Sequence, residues 1–153
     1  MSPFFEQADV DLDAIAARWV GTPFAPAGAI CGPRGGASCH RLVVAVLAEA
    51  GVPISQEEIP DAVLNRATHF PGSLMAEWLR AKPDRFDEMD SAQIRAGDIL
   101  LFKFGVGAHH AGLALSGQRL LQTWQHAGAH ITRYDAPPLH KRLYAVFRPL
   151  KTD

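Results

Sequence analysis

The chain has 153 residues, 48% of them hydrophobic and 20% charged, with a formal net charge of -1. That is the size and apolar content of about one ordinary globular domain, taken as residues 1–153, with enough apolar side chain for a sizeable core. The near-neutral balance and the lack of any Lys/Arg cluster exclude an electrostatic footprint for nucleic acid or an anionic membrane surface, and no apolar run approaches membrane-spanning length.

The opening stretch MSPFFEQADVDLDAIAARW has no basic region followed by an apolar core, so a soluble chain without a signal peptide is expected. Within it, Leu12, Ile15, Ala16 and Trp19 recur at helical spacing, which predicts a helix over Asp11 to Val20 that stops at Gly21-Thr22-Pro23. Four glycines and two prolines between Ala25 and Gly36 are too many for a helix or strand, and a loop is expected up to Ser38. From Cys39 onward, Leu42, Val43, Val46, Leu47 and Ala50 form the stripe of a second helix. Ser38 is placed to cap its start, and Gly51 stands where a left-handed residue closes it.

Residues Pro53 to Ala96 mix acidic side chains with short helical patterns, of which Ser73 to Ala81, capped by Ser73, is the clearest. After Gly97 every run reads as strand: DILLFKF, HAGLAL, RLLQTW, AHITRY and LYAVFRP, separated by turn-forming or charged residues. Helices first and strands afterwards predict an α+β domain, its N-terminal helices packed on a C-terminal antiparallel meander of about five strands.

Cys39 falls in the first turn of its helix, where the dipole and unsatisfied N–H groups favour a thiolate, the reactive form of cysteine. It also begins a buried stripe, so a structural thiol fits the same position. Cys31 and Cys39 are the only cysteines, which excludes a disulfide framework or zinc ribbon and leaves one bridge between them open. A cysteine nucleophile needs a histidine within hydrogen-bond reach and a third polar group to fix the imidazole. A three-residue hairpin loop at Leu115-Ser116-Gly117 would set His110 directly opposite Gln122 on one face. A two-residue turn at Ser116-Gly117 would put Gln122 on the other face. Gly112, two residues along from His110, leaves room for a close approach.

Other residues admit plainer readings. His109, His110, His126 and His130 together suit zinc or copper, but Gly128 interrupts the alignment of His126 with His130 and no carboxylate stands beside them. No metal or other cofactor is therefore assigned. His109 reads as a solvated strand end. His40 and Arg41 read as helix surface or substrate contacts. Trp78 and Trp124 read as core or groove lining, and Asp98 as turn chemistry before a strand.

RWVGTPF, GGASCHRLV, RAGDILLF, HAGLAL and LLQTW occur in this order from about Trp19 to Arg148. Together they resemble the NlpC/P60 cell-wall cysteine peptidases, a papain-like superfamily. The resemblance implies a peptidase or amidase that cuts peptidoglycan stem peptides through a thioester, with Cys39 as nucleophile, His110 as base and Gln122 in the third polar position. It also places Phe24, Ser38, His40 and Trp124 along the substrate path. Where that family commonly has Asp-Cys-Ser-Gly this chain reads Ser38-Cys39-His40-Arg41, and its GTPY tyrosine is Phe24. A non-catalytic module of the phage tail or assembly type is the alternative that these departures favour, and a cytoplasmic or phage-delivered protein is expected.

Overall fold

The computed structural model describes residues 2–64, 72–105 and 107–152. Its helices are α1 (Phe4–Gln7), α2 (Leu12–Trp19), α3 (Cys39–Glu49), α4 (Asp61–Leu64) and α5 (Leu74–Arg80). Two short strands, β1 (Ala29–Ile30) and β2 (Gly36–Ala37), pair within the stretch expected to be loop alone. The main sheet comprises β3 (Phe86–Met89), β4 (Ile99–Phe104), β5 (Gly107–Leu115), β6 (Arg119–Trp124), β7 (Gly128–Arg133) and β8 (Leu143–Pro149), all antiparallel.

Local signals account for the helices. Asp11 Oδ1 accepts from the Ala14 N–H at 3.0 Å and starts α2, which buries Leu12, Ala16 and Trp19. Ser73 Oγ accepts from the Ala76 N–H at 3.0 Å and starts α5. Gly51, at φ +99°, closes α3 in the conformation that costs glycine least. The apolar stripe of α3 is wholly buried and packs on β5 and β6.

The sheet follows the order β3-β8-β4-β5-β6-β7, which corrects the simple meander. Strands β4 to β7 do follow one another, but β8 returns to the far side of β4 instead of continuing from β7. Ala145 to Pro149 are buried in an unbroken run, as a strand inside a sheet with both faces covered requires. The sixth strand, β3, pairs with β8 on that side. Its sequence, FDEM, buries only Phe86 among its first three residues and carries no strand signature. Its strand state comes from the partner it meets.

Residues paired across an antiparallel ladder share a face. Ile99, Leu101, Ala111, Leu113, Leu121, Ala145 and Phe147 accordingly join the helices in the main core. Leu100, Phe102, Ala114, Leu120, Leu139 and Val146 form a second cluster on the opposite face. Asp98 closes the turn before β4 by accepting from the Arg95 N–H at 2.9 Å, the role expected of it. It also accepts two hydrogen bonds, both 2.8 Å, from the guanidinium of Arg148 on β8, and both side chains are buried.

The segment after α2 is fastened to β7. The Gly21 N–H donates to Ala129 O at 2.9 Å, the Ala129 N–H donates to Thr22 O at 2.8 Å, and buried Thr22 Oγ1 accepts from the Gly32 N–H at 2.9 Å. Gly128, at φ +68°, lies so close that a Cβ there would collide with Thr22 O. Gly128→Ala therefore carries both a left-handed backbone and a clash with main chain. A loss of roughly 1–3 kcal/mol is expected, read as a lower denaturant midpoint at unchanged slope.

Candidate active site

Cys39 opens α3 and is 2% exposed. The residues just before it are laced to two loops: the Ala37 N–H donates to Pro23 O at 3.0 Å, the Ser38 N–H to Gly28 O at 3.2 Å, and Phe24 makes a parallel bridge to Ala37. Half-buried Phe24 is thus held beside Ala37, two residues before Cys39. Ser38 occupies the cap position with extended backbone, but its hydroxyl makes no capping hydrogen bond, contrary to expectation. The Ser38 Oγ is buried, without a partner among the described residues. The Ser38 hydroxyl therefore leaves the first N–H groups of the helix uncapped.

His40 departs furthest from its expected place. It is 4% exposed, and its Nδ1 lies 3.7 Å from Cys39 Sγ. The reason lies in the width of the buried arc on α3. Val44 is as completely buried as Leu42 and Val43, so the face containing His40, Val44 and Leu47 is covered as well. Arg41, by contrast, is tied to a neighbouring turn: its guanidinium donates to Gln56 Oε1 at 3.2 Å and its carbonyl accepts from Gln56 Nε2 at 2.9 Å.

The thiol also lies 3.9 Å from the backbone oxygen of His109 on β5. Burial alone would raise its pKa. Charge from His40, hydrogen bonds from His110 and His40, and charge from His110 together outweigh that penalty, and the Cys39 thiol is held well below its ordinary pKa. His40→Ala removes one of these two imidazoles, so the midpoint of thiolate formation moves upward. Ultraviolet thiolate absorbance against pH, in a Cys31→Ser background, checks this; an unmoved midpoint would leave His110 as the only imidazole that matters.

His110 is 6% exposed, and its Nε2 lies 2.8 Å from Gln122 Oε1. The two are not directly opposite. The β5–β6 ladder pairs Leu113 with Leu121, Ala114 with Leu120 and Leu115 with Arg119, a shift of two residues from the pairing expected. Continued along the strands, that register sets Gly112 opposite Gln122 and makes His110 its diagonal neighbour. The connection is a loop of Ser116, Gly117 and Gln118, with Gly117 and Gln118 at positive φ. A shift of two preserves the face where a shift of one would not, and the side chains still meet. The space over Gly112 is taken by Leu120.

Aromatic rings enclose the imidazole. Trp124 stacks on His110 with centroids 4.1 Å apart and planes at 14°, Phe102 lies 5.8 Å away, and Phe104 meets both His110 and Trp124 edge-on. Trp124, expected along the substrate path, therefore packs against the His110 ring. Trp78 belongs to the main core. Cys31 is exposed and its thiol donates to Arg18 O at 3.1 Å; both cysteines are free, so the bridge left open does not form. Among the described residues, no group of three or more His, Cys, Asp or Glu side chains is arranged to hold a metal.

No protein-family model matches the sequence, and no curated protein matches it. Solved structures do. An NLP/P60-family protein of Staphylococcus aureus, described as similar to a lipoprotein, superposes with TM-score 0.63 at 18% identity, over 99% of this chain and 44% of its own. An NlpC/P60-family protein of Bacillus cereus gives 0.65 at 18% identity over 92% of this chain and 40% of its own. The NlpC/P60 domain of the peptidoglycan hydrolase SagA gives 0.56 at 15% identity over 92% and 96%. The fold is that of the NlpC/P60 proteins. The chain spans less than half the length of the first two of these neighbours, and nearly the whole of the SagA domain.

Within this NlpC/P60 fold the structure brings Cys39, His40, His110 and Gln122 together, with Trp124 against His110. It adds His130, whose Nε2 lies 3.1 Å from Gln122 Nε2 and which the sequence reading weighed only as a metal ligand. A signal for it was present. Trp124 and Gly128 bracket a three-residue hairpin loop, and that hairpin sets His130 directly opposite Gln122.

Proposed function

We propose that the chain is a cysteine peptidase or amidase that hydrolyses amide bonds of peptidoglycan stem peptides through Cys39, His110 and Gln122. The observation that carries the chemistry is the pairing of His110 Nε2 with Gln122 Oε1 at 2.8 Å, made by one of the two imidazoles that hold the buried Cys39 thiol below its ordinary pKa. The substrate class rests on the neighbours: the SagA domain belongs to a peptidoglycan hydrolase, and RipB of Mycobacterium tuberculosis, of the same fold at 15% identity, is another.

The Cys39 thiolate attacks the carbonyl carbon, and the negative charge moves to the carbonyl oxygen. Backbone N–H groups at the uncapped start of α3 face that charge with the positive end of the helix dipole. His110 gives its proton to the departing amine, leaving a thioester. It then takes a proton from water, which attacks the thioester and regenerates the thiol. Gln122 accepts the His110 Nε2–H and holds the ring, a role of orientation, since a neutral amide brings no charge to the pair. Phe24 and Ser38, beside the nucleophile, keep the substrate-contact role, whereas His40 and Trp124 act on the catalytic pair. The phage-assembly association finds no support among the neighbours named above.

Digestion of purified peptidoglycan and of short γ-linked stem peptides, followed by product masses, identifies the bond. New amino termini with wild type and none with Cys39→Ala are expected. Intact substrates with wild-type protein would leave a non-catalytic module of this fold.

A further inference from the structure

We propose that His130 is a positioning residue: it fixes which way the Gln122 amide faces, and thereby which nitrogen of His110 is left to serve Cys39. This rests on the reading of His110 as the base for Cys39. His130 lies on β7, paired across the ladder with Gln122 on β6, and its Nδ1 is 2.9 Å from the carbonyl oxygen of Gly128. A carbonyl only accepts, so Nδ1 carries the hydrogen, and in the neutral ring Nε2 is a bare acceptor. That Nε2 lies 3.1 Å from the Gln122 amide nitrogen, which only donates. The amide oxygen is thereby turned to His110 Nε2 at 2.8 Å. An oxygen only accepts, so His110 Nε2 bears a hydrogen and its Nδ1 is left bare to take the thiol proton.

The opposite amide orientation is excluded by the same bonds. It would set the Gln122 oxygen against His130 Nε2, which could answer only by carrying a second hydrogen as imidazolium. It would also set an NH2 group against the His110 nitrogen that must itself donate. Gln122 is buried, so water does not readily replace the lost partner. The carbonyl at the root of the chain is fixed as well: Gly128 packs on Thr22 O, and its neighbour Ala129 exchanges hydrogen bonds with Gly21 and Thr22. A backbone carbonyl at the start of β7 thus sets the direction of each hydrogen from Gly128 through His130 and Gln122 to His110.

The test is a double-mutant cycle between His130→Phe and Gln122→Glu. Phenylalanine cannot accept from the amide, so both orientations become populated. A fall in kcat on the order of tenfold with KM little changed is expected, the weight of about one hydrogen bond. A glutamate offers an acceptor oxygen whichever way it turns, so in the Gln122→Glu background His130→Phe is expected to change kcat less than about twofold. His130→Gln, whose side-chain oxygen can accept from Gln122, is expected to restore most of the loss, and His130→Leu replaces His130→Phe should the larger ring impair folding. Ring ¹⁵N shifts of His110 give a readout independent of turnover: a single Nε2–H tautomer in wild type, a mixture in His130→Phe. An equal kcat penalty in both backgrounds, or an unchanged His110 tautomer in His130→Phe, would overturn the proposal. Should wild type cleave no substrate while the tautomer still changes, the peptidase reading fails and the positioning role stands.

Discussion

Cys39→Ala and His110→Ala are each expected to lower turnover by roughly 10³-fold or more, with the double variant no worse than either single one. The first removes the proposed nucleophile. The second removes the group proposed to receive the thiol proton and to release the amine, and it takes away two of the influences that hold the thiol pKa down. Because the two residues act as one unit, their losses do not add. Gln122→Ala retains more activity, since the thiolate and the backbone donors at the start of α3 survive and only the hold on the ring is lost. Single-turnover assays with mass detection of the released amine measure all four proteins. Activity in His110→Ala close to wild type would mean that His40, 3.7 Å from the sulfur, carries the proton instead. The sign of the pH dependence follows from the thiol. With its pKa lowered, the thiolate is already formed at pH below the ordinary thiol range, so on the acid side rates are expected to fall as pH drops through the lowered value.

Asp98→Ala is expected to cost about 3–5 kcal/mol of stability, the largest effect away from the active site. Asp98 is 1% exposed and Arg148 is buried beside it. Removing the carboxylate strips the guanidinium of two hydrogen bonds and, among the described residues, leaves Gln93 O, at 2.6 Å, as its acceptor. An unpaired buried cation costs more than the intact pair contributes. Replacing both partners together, Asp98→Leu with Arg148→Met, is therefore expected to recover much of the loss. Denaturant titration at constant slope measures the cycle. A single variant within about 0.5 kcal/mol of wild type would show that Arg148 finds water when Asp98 is gone.

The hairpin carrying the candidate base shows what sequence pattern can and cannot settle. Sequence pattern left two registers open, a three-residue loop that puts His110 and Gln122 on one face and a two-residue turn that parts them, and the side chains do meet. Which residues stand opposite depends on how the loop closes, and the loop took Gln118 as well as Gly117 into positive φ, moving the ladder by two. Side chains long enough to reach diagonally absorbed the difference. For His40, a helical stripe marks the face most certain to be buried but not how far burial extends around the helix. That depends on what packs alongside, and here the cover reaches Val44.

By itself the sequence determined the pieces whose signals are local: the helix over Asp11 to Val20, the Ser73 cap, the stripe of α3 with Gly51 after it, the five strand runs after Gly97, and a cysteine at a helix start. Those features depend on residues a few positions apart, where backbone geometry and hydrogen-bonding capacity leave few choices. Only the tertiary structure decided that FDEM becomes a strand, that β8 lies beside β4, that Asp98 meets Arg148 fifty residues away, that His40 turns onto the thiol and that His130 stands behind Gln122. Each of these is a contact between distant segments. Such contacts are selected by which apolar faces must cover one another, a property of the assembled layers rather than of any short stretch of chain.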